Sequence, residues 1–285
     1  MKRLDGVEIA ALIVLMAALV LALLHWESVQ RMLGYVLHEP LHQAPTAVAP
    51  RAPAAPQVSA RIASAPASQP ATLQVPAASQ PLPALAHSDT LFGRAVASLV
   101  GRDGFAHWWV PDRLILHIVS TIDNLARANA PVKAWPLRPA PGTLRVHADA
   151  KGFVLAASNA ARYAPYMAML RHVDPARAVG VYLDFYPVFQ QAWRELGYPK
   201  GEFNTRLLQV IDNLLAAPEP GGALRLVQPH VLYLYADPGL ESASAGQKIL
   251  MRIGPANERE VKAKLRALRA QLLRHMRAAP AAAQP

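Results

Sequence analysis

Residues 111–125 read PDRLILHIVSTIDNL, and residues 204–217 read NTRLLQVIDNLLAA. In the first stretch Leu114, Ile115, Ile118, Val119, Ile122 and Leu125 recur at steps of three and four. That is the period of an α-helix with one buried face. Proline is tolerated in a first helical turn, so the helix is expected to begin near Pro111. The second stretch repeats the period and predicts a helix over 204–217. Two such amphipathic helices set the expectation of a mainly helical core.

Both stretches close on Ile-Asp-Asn-Leu, at 122–125 and 211–214. A proline-containing loop and a leucine-arginine pair follow each, Leu137-Arg138 and Leu224-Arg225. A degenerate duplication and coincidence account for the echo equally well. An aspartate late in a helix meets the negative end of the macrodipole. Asp123 and Asp212, with Asn124 and Asn213 beside them, are therefore expected to be structural polar residues with a local partner, an arginine or backbone amides in the following loop. The functional alternative sets the two carboxylates across one cleft as acid and base.

Outward from these helices, Ser88-Asp89 caps a helical run through Leu91, Phe92, Ala95, Val96 and Leu99 that Gly101 ends. Residues 144–146 and 153–155 flank a turn-rich 148–152 stretch and predict a β-hairpin. Ser158 is expected to cap a helix through Leu170. Asp174-Pro175 opens one through Leu196, bent at Pro187. LVQPHVLYLY, residues 226–235, is strand-like. Two further helices part at Gly254-Pro255, with Asp237-Pro238 and Ser244 as helix starts and Asn257 and Glu258 satisfying the last helix's first amides. Glu241 and Lys248 read as exposed partners. The fold class is thus mainly α (α+β), with a small sheet.

The N-terminus differs in kind. Residues 9–24, IAALIVLMAALVLALL, carry no charge. With Val7 and Trp26 at its edges the segment 7–26 approaches the roughly 20 residues a membrane-crossing helix needs. The small-x-small site Ala47-Val48-Ala49 lies too far downstream for signal cleavage. An uncleaved single-pass anchor is expected, extended by a juxtamembrane helix to residue 39. Lys2 and Arg3 place the N-terminus in the cytoplasm and the rest of the chain outside, in the periplasm of a bacterium with two membranes.

His38-Glu39-Pro40-Leu41-His42 matches H-E-x-x-H in form. Zinc chemistry needs both imidazoles on one continuous helical face, and Pro40 breaks that turn. No metal and no cofactor are expected. Residues 40–87 are dominated by Ala, Pro, Ser and Gln and read as a disordered linker, because they cannot bury enough surface to order. Such a chain spans roughly 40 Å as a coil and about 150 Å fully extended. A globular domain over 88–278 and a short tail, 279–285, complete the chain.

The protein has no cysteine, which removes disulfides and thiolate chemistry. No phosphate loop, dinucleotide fingerprint or nucleophile elbow occurs. Glu195, Glu202 and Glu241 are carboxylates available in principle to glycosidic chemistry, and His107 and His117 read as surface or partly buried residues. The net charge of +10 gathers toward the C-terminus. There Val261, Leu265, Leu268, Leu272 and Met276 form an apolar stripe. Arg259, Lys262, Lys264, Arg266, Arg269, Arg274 and Arg277 fill much of the rest, as a solvated face or as a surface for an anionic lipid or acidic partner. Arg162, Tyr163, Lys248, Arg252 and Asn257 are a further candidate set, for an anion or a carbohydrate. Nothing supports nucleic-acid binding.

The run from Tyr233-Leu234-Tyr235-Ala236-Asp237-Pro238-Gly239-Leu240-Glu241 to Gly254-Pro255-Ala256-Asn257-Glu258 is the densest polar sequence. Taken with Val110-Pro111-Asp112, the Asp-Asn-Leu helix, Asn159, Arg162-Tyr163 and Gly197-Tyr198-Pro199, it resembles bacterial domain-of-unknown-function family 3014, over about residues 89–272. Membrane anchors with proline-rich tethers are common in such proteins. The resemblance implies no activity and assigns no functional residues. The residues alone support a non-enzymatic binding or scaffolding module presented outside the inner membrane, with a cell-wall-directed hydrolase using paired carboxylates as the alternative.

Overall fold

The computed structural model describes residues 72–73 and 81–277. The expected anchor over 7–26, the His38–His42 motif, most of the tether and the tail lie outside the described residues. Among the described residues no helix is long and apolar enough to cross a membrane.

The described residues form ten α-helices and a small antiparallel sheet. Helix α1 is Asp89–Val100, α2 is Arg102–Trp108 and α3 is Leu114–Leu125. Strands β2, Val146–Asp149, and β3, Gly152–Leu155, form the expected hairpin. Helices α4, Ala164–His172, α5, Pro175–Asp184, α6, Tyr186–Glu195, and α7, Phe203–Leu215, follow. Strands β4, Arg225–Val227, and β5, Leu234–Tyr235, lead into α8, Pro238–Glu241, α9, Ala245–Arg252, and α10, Pro255–Arg274. The sheet runs β2-β3-β4-β5, and separately β1, Thr72–Leu73, pairs with β6, Met276–Arg277.

The central element is α3. Leu114, Ile115, Ile118, Val119, Ile122 and Leu125 are all buried, as their spacing requires. It packs against α1, α6, α7 and α9, while α10 lies over α5, α7 and α9. Phe92, Tyr182, Phe189 and Phe203 interlock beneath them, with Phe92 meeting Phe189 edge-on at 5.5 Å and Phe189 stacked on Phe203 at 5.8 Å. A smaller core under the sheet holds Leu226, Tyr235 and Met251. At Gly246 the packing leaves no room for a side chain. A Cβ there would lie 2.4 Å from Leu214 Cδ2 and 3.0 Å from the Leu125 carbonyl oxygen.

Four local expectations are corrected, and proline explains most of them. Helix α3 begins at Leu114 rather than near Pro111. Arg113 is left-handed at φ 49°, and Asp89 of α1 accepts the Arg113 and Leu114 amides at 2.8 Å each. The long helix expected to bend at Pro187 instead breaks at Phe185 into α5 and α6, since Pro187 has no N–H for the Leu183 carbonyl. Residues 157–163 form a 3-10 helix rather than the first turns of an α-helix, and Pro165 then opens α4. The strand-like 226–235 stretch folds back on itself around Pro229, pairing Leu226 with Tyr235.

Residues expected within the tether also join the packed body. Leu85 is buried in the core, and Leu73 and Leu82 pack against it. Met276, read as part of the last helix's apolar stripe, lies in β6.

Candidate functional site

The polar residues expected to be structural separate into two unlike environments. The Asp123 side chain is only 8% exposed and the Asp212 side chain 51%. Asp123 Oδ1 accepts from Arg206 Nε at 2.8 Å, and Oδ2 accepts from Arg127 Nη2 at 2.7 Å and from the Tyr198 hydroxyl at 2.8 Å. Arg206 Nη2 also donates to the Asp123 carbonyl at 2.7 Å. Helices α3 and α7 are thereby joined by one carboxylate held by two guanidinium groups. The Asp123 charge raises the pKa of Arg127, and burial together with that carboxylate raises the Tyr198 phenol. The Tyr198 ring stacks on Trp193 at 3.8 Å, which holds the hydroxyl in place.

Asp212 pairs on the surface with Arg269 of α10, Nε to Oδ1 at 2.6 Å. Asn124 donates to the Ser120 carbonyl one turn back. Asn213 instead anchors the start of α9, accepting from Ser244 Oγ at 2.8 Å and, through its carbonyl, from Gln247 Nε2 at 2.8 Å. The two Asp-Asn pairs thus share a sequence but not a role.

The other carboxylates singled out from sequence are engaged as well. Glu202 accepts from the Tyr186 hydroxyl, Glu195 from Gln191 Nε2, and Glu241 from Lys248 Nζ at 2.9 Å and the Tyr235 amide at 2.8 Å. Among the described residues no cluster of three metal-ligating side chains occurs.

The candidate ligand set is brought partly together. Arg162 lies over the Tyr163 ring at 5.6 Å and donates to the carbonyls of Pro141 at 3.1 Å and Gly142 at 2.8 Å. Arg252 is buried with its guanidinium 5.7 Å from the Tyr235 ring centroid, and it acts electrostatically on Tyr163 as Arg162 does. Asn257, expected as an amide cap, donates instead to the carbonyls of Ile253 at 2.9 Å and Ala160 at 3.3 Å. Lys248 is turned to Glu241. Arg162, Asn257 and Lys248 thus spend donors on carbonyls or a carboxylate of the fold itself. Asn159, buried beside them, ties both main-chain groups of Arg145 to the 3-10 helix.

Sequence reading missed the buried ion pair of α10. Glu258 and Lys262 side chains are each 2% exposed, with Lys262 Nζ 2.9 Å from Glu258 Oε1 but off its hydrogen-bond direction. Lys262 also donates to the Ala217 carbonyl and Glu219 Oε1, both at 2.7 Å. Burial raises the Glu258 pKa despite Lys262, whereas its bond to Lys262 lowers that of Glu219. The i, i+4 spacing of Glu258 and Lys262 was visible, but it normally marks a solvated pair.

Of the α10 basic residues, three are bonded to other parts of the fold, while exposed Arg259 spends only its Nε on its own helix. Lys262 is buried, Lys264 donates to the Val173 carbonyl at 2.7 Å, Arg269 holds Asp212, and Arg259 donates locally to Pro255. Arg259, Ala263, Arg266, Ala270, Leu273 and Arg274 are all exposed. At 100° per residue they fall within about 100° of arc, a single outward face. Among the described residues Arg266 and Arg274 make no hydrogen bond or ion pair. Glu219, at the edge, is the acid that feels Arg259 and Arg266.

A family model described as "Protein of unknown function (DUF3014)" matches residues 114–269, more than half of the chain. No curated protein and no solved structure matches.

Proposed function

The chain belongs to the DUF3014 family, and we propose that it is a non-enzymatic binding or scaffolding module, held outside the inner membrane by an anchor over 7–26 and a proline-rich tether. The observation that carries this reading is the exposed α10 face. Three arginines stand along it at about two-turn intervals, separated by alanines that let another surface approach closely.

An acidic protein surface fits that face better than a membrane does. Basic residues near an anionic bilayer contribute about 1 kcal/mol each, so three supply only about 3 kcal/mol, close to millimolar binding. Against a carboxylate-bearing protein surface the same guanidinium groups form bidentate bonds and exclude water. The engagement of Asp123, Asp212, Glu195, Glu202 and Glu241 in the fold's own bonds supports binding over acid-base chemistry.

A photo-crosslinker placed at Ala263 or Ala270 of the full-length protein in cells tests the reading. A discrete polypeptide adduct is expected, and Arg259→Glu with Arg266→Glu should abolish it. Adducts only to phospholipid, or a polypeptide adduct indifferent to charge reversal, would overturn it.

A further inference from the structure

Beside α2 the surface carries an open depression of about 630 Å³ lined by Asp103, Gly104, Ala106, His107, Trp108 and Arg138. A second, of about 410 Å³, continues from it past Leu99, Arg102 and His172, sharing Asp103 and Gly104. Each lies within the usual size range of small-molecule sites. The two adjoin at Asp103 and Gly104 and form an open groove rather than a closed cavity.

We propose that this groove binds an uncharged saccharide chain. Arg138, among its polar groups, is held in place but retains bonding capacity. Arg138 Nη1 donates to the carbonyls of Ala106 at 3.2 Å and His107 at 2.5 Å, and the Arg138 amide donates to the Trp108 carbonyl at 2.8 Å. The buried Tyr166 hydroxyl donates to the Arg138 carbonyl at 3.1 Å, fixing the residue from beneath. Nε and Nη2 of Arg138 remain without a bond among the described residues, as do the carboxylate of Asp103 and the imidazole of His107. Trp108 is half-buried, its ring 4.8 Å from Tyr166 and met edge-on by His107 at 4.6 Å. Gly104 lets α2 lie close on the core, since a Cβ there would press on Met169 Sδ at 3.2 Å.

The chemistry selects the ligand class. A sugar hydroxyl both donates and accepts, and so can use the Asp103 carboxylate and the Arg138 guanidinium at once. The main depression pairs one carboxylate with one guanidinium. A phosphate would meet Asp103, and a cation would meet Arg138. A wholly apolar ligand would strip water from both without replacing their bonds. The aromatic wall suits the C–H faces of a pyranose, and the open, continuing shape suits a chain longer than one ring. This inference does not depend on the α10 face or on the side of the membrane the domain occupies.

The test uses the full-length protein in neutral-lipid nanodiscs, with chitotetraose, maltotetraose and inorganic phosphate as probes. At least one tetrasaccharide should show saturation transfer and bind with a Kd of about 0.1–1 mM, as suits an open, water-exposed site. Asp103→Asn should weaken it about 10-fold, the loss expected for a charge-assisted bond, with melting unchanged. His107→Ala, at an exposed position, should weaken it as well and carries the test alone if Asp103→Asn alters folding. Transfer from neither sugar, affinity unchanged in both variants, or displacement of the sugar by phosphate would each overturn the proposal.

Discussion

Replacing Asp123 with alanine should destabilise the protein severalfold more than replacing Asp212, although both residues sit in the same Ile-Asp-Asn-Leu sequence. Asp123 accepts three side-chain donors at 2.7–2.8 Å. Removing it leaves Arg206, 23% exposed, with only the main-chain carbonyl of residue 123 as partner for its side chain among the described residues. A hydrogen bond to a charged group is worth about 1.5–3 kcal/mol, and a partly buried charge stripped of its partner costs more than a free one. Arg127, at 50% exposure, recovers most of its loss from water, so its share is discounted. The sum is about 2–4 kcal/mol. For a domain of this size that corresponds to a fall in Tm of roughly 5–12 °C. Asp212 and Arg269 are both exposed, and such pairs contribute about 0–1 kcal/mol, no more than roughly 3 °C. Differential scanning calorimetry on the purified full-length variants in detergent separates the two values. Equal shifts, or an Asp123→Ala protein that melts at or above the parent, would refute the reasoning and return Asp123 to consideration as an active-site carboxylate.

Gly246→Ala should destabilise by about 1–3 kcal/mol, because the new methyl meets Leu214 and the Leu125 carbonyl and must push α9 off α3 and α7; urea unfolding gives the value. A fragment spanning 72–278 should be more stable than one spanning 88–278 by about 2–4 kcal/mol, since the shorter one loses buried Leu85 and the packing of Leu73 and Leu82; paired thermal melts check this. Glu258 sets a pH dependence. Its folded pKa lies above its unfolded value near 4.5, so the protonated form is favoured by folding. The resulting stability is fully present below the unfolded pKa and is lost as pH rises through the folded one. Glu258→Gln cannot titrate, so its Tm relative to the parent should rise from pH 4 toward neutrality. A difference independent of pH would show that Glu258 is not perturbed.

The helical period was legible because burial on one face is written locally. Every apolar position read in residues 114–125 is buried, and the expected hairpin forms, with its first strand, Val146–Asp149, running into the stretch read as turn. The misreadings concern main-chain donors. Pro165, Pro187 and Pro229 each broke an element that apolar spacing alone would have continued. A local partner was expected for each aspartate; Asp123 has one in Arg127, one turn beyond it, whereas Asp212 is paired by Arg269 of α10. Arg206, 83 positions away, was not readable, because only the α3–α7 contact brings it near. The α10 face could be drawn on a helical wheel. Which of its cations remain outward could not, since Lys262, Lys264 and Arg269 are turned inward or paired by Val173, α7 and the Ala217–Glu219 segment. The groove beside α2 was hidden for the same reason, as Arg138 and His172 come from other parts of the chain.

The central claim, a protein that works by binding through α10 rather than by chemistry, is tested most directly by complementation of a deletion strain at matched protein abundance. The account predicts that Arg259→Glu, Arg266→Glu and Arg274→Glu together abolish complementation while the protein accumulates and melts like the parent. It also predicts that Asp123→Ala complements in proportion to the folded protein that survives. Full complementation by the triple charge reversal, with complete loss in an abundant, folded Asp123→Ala protein, would contradict it.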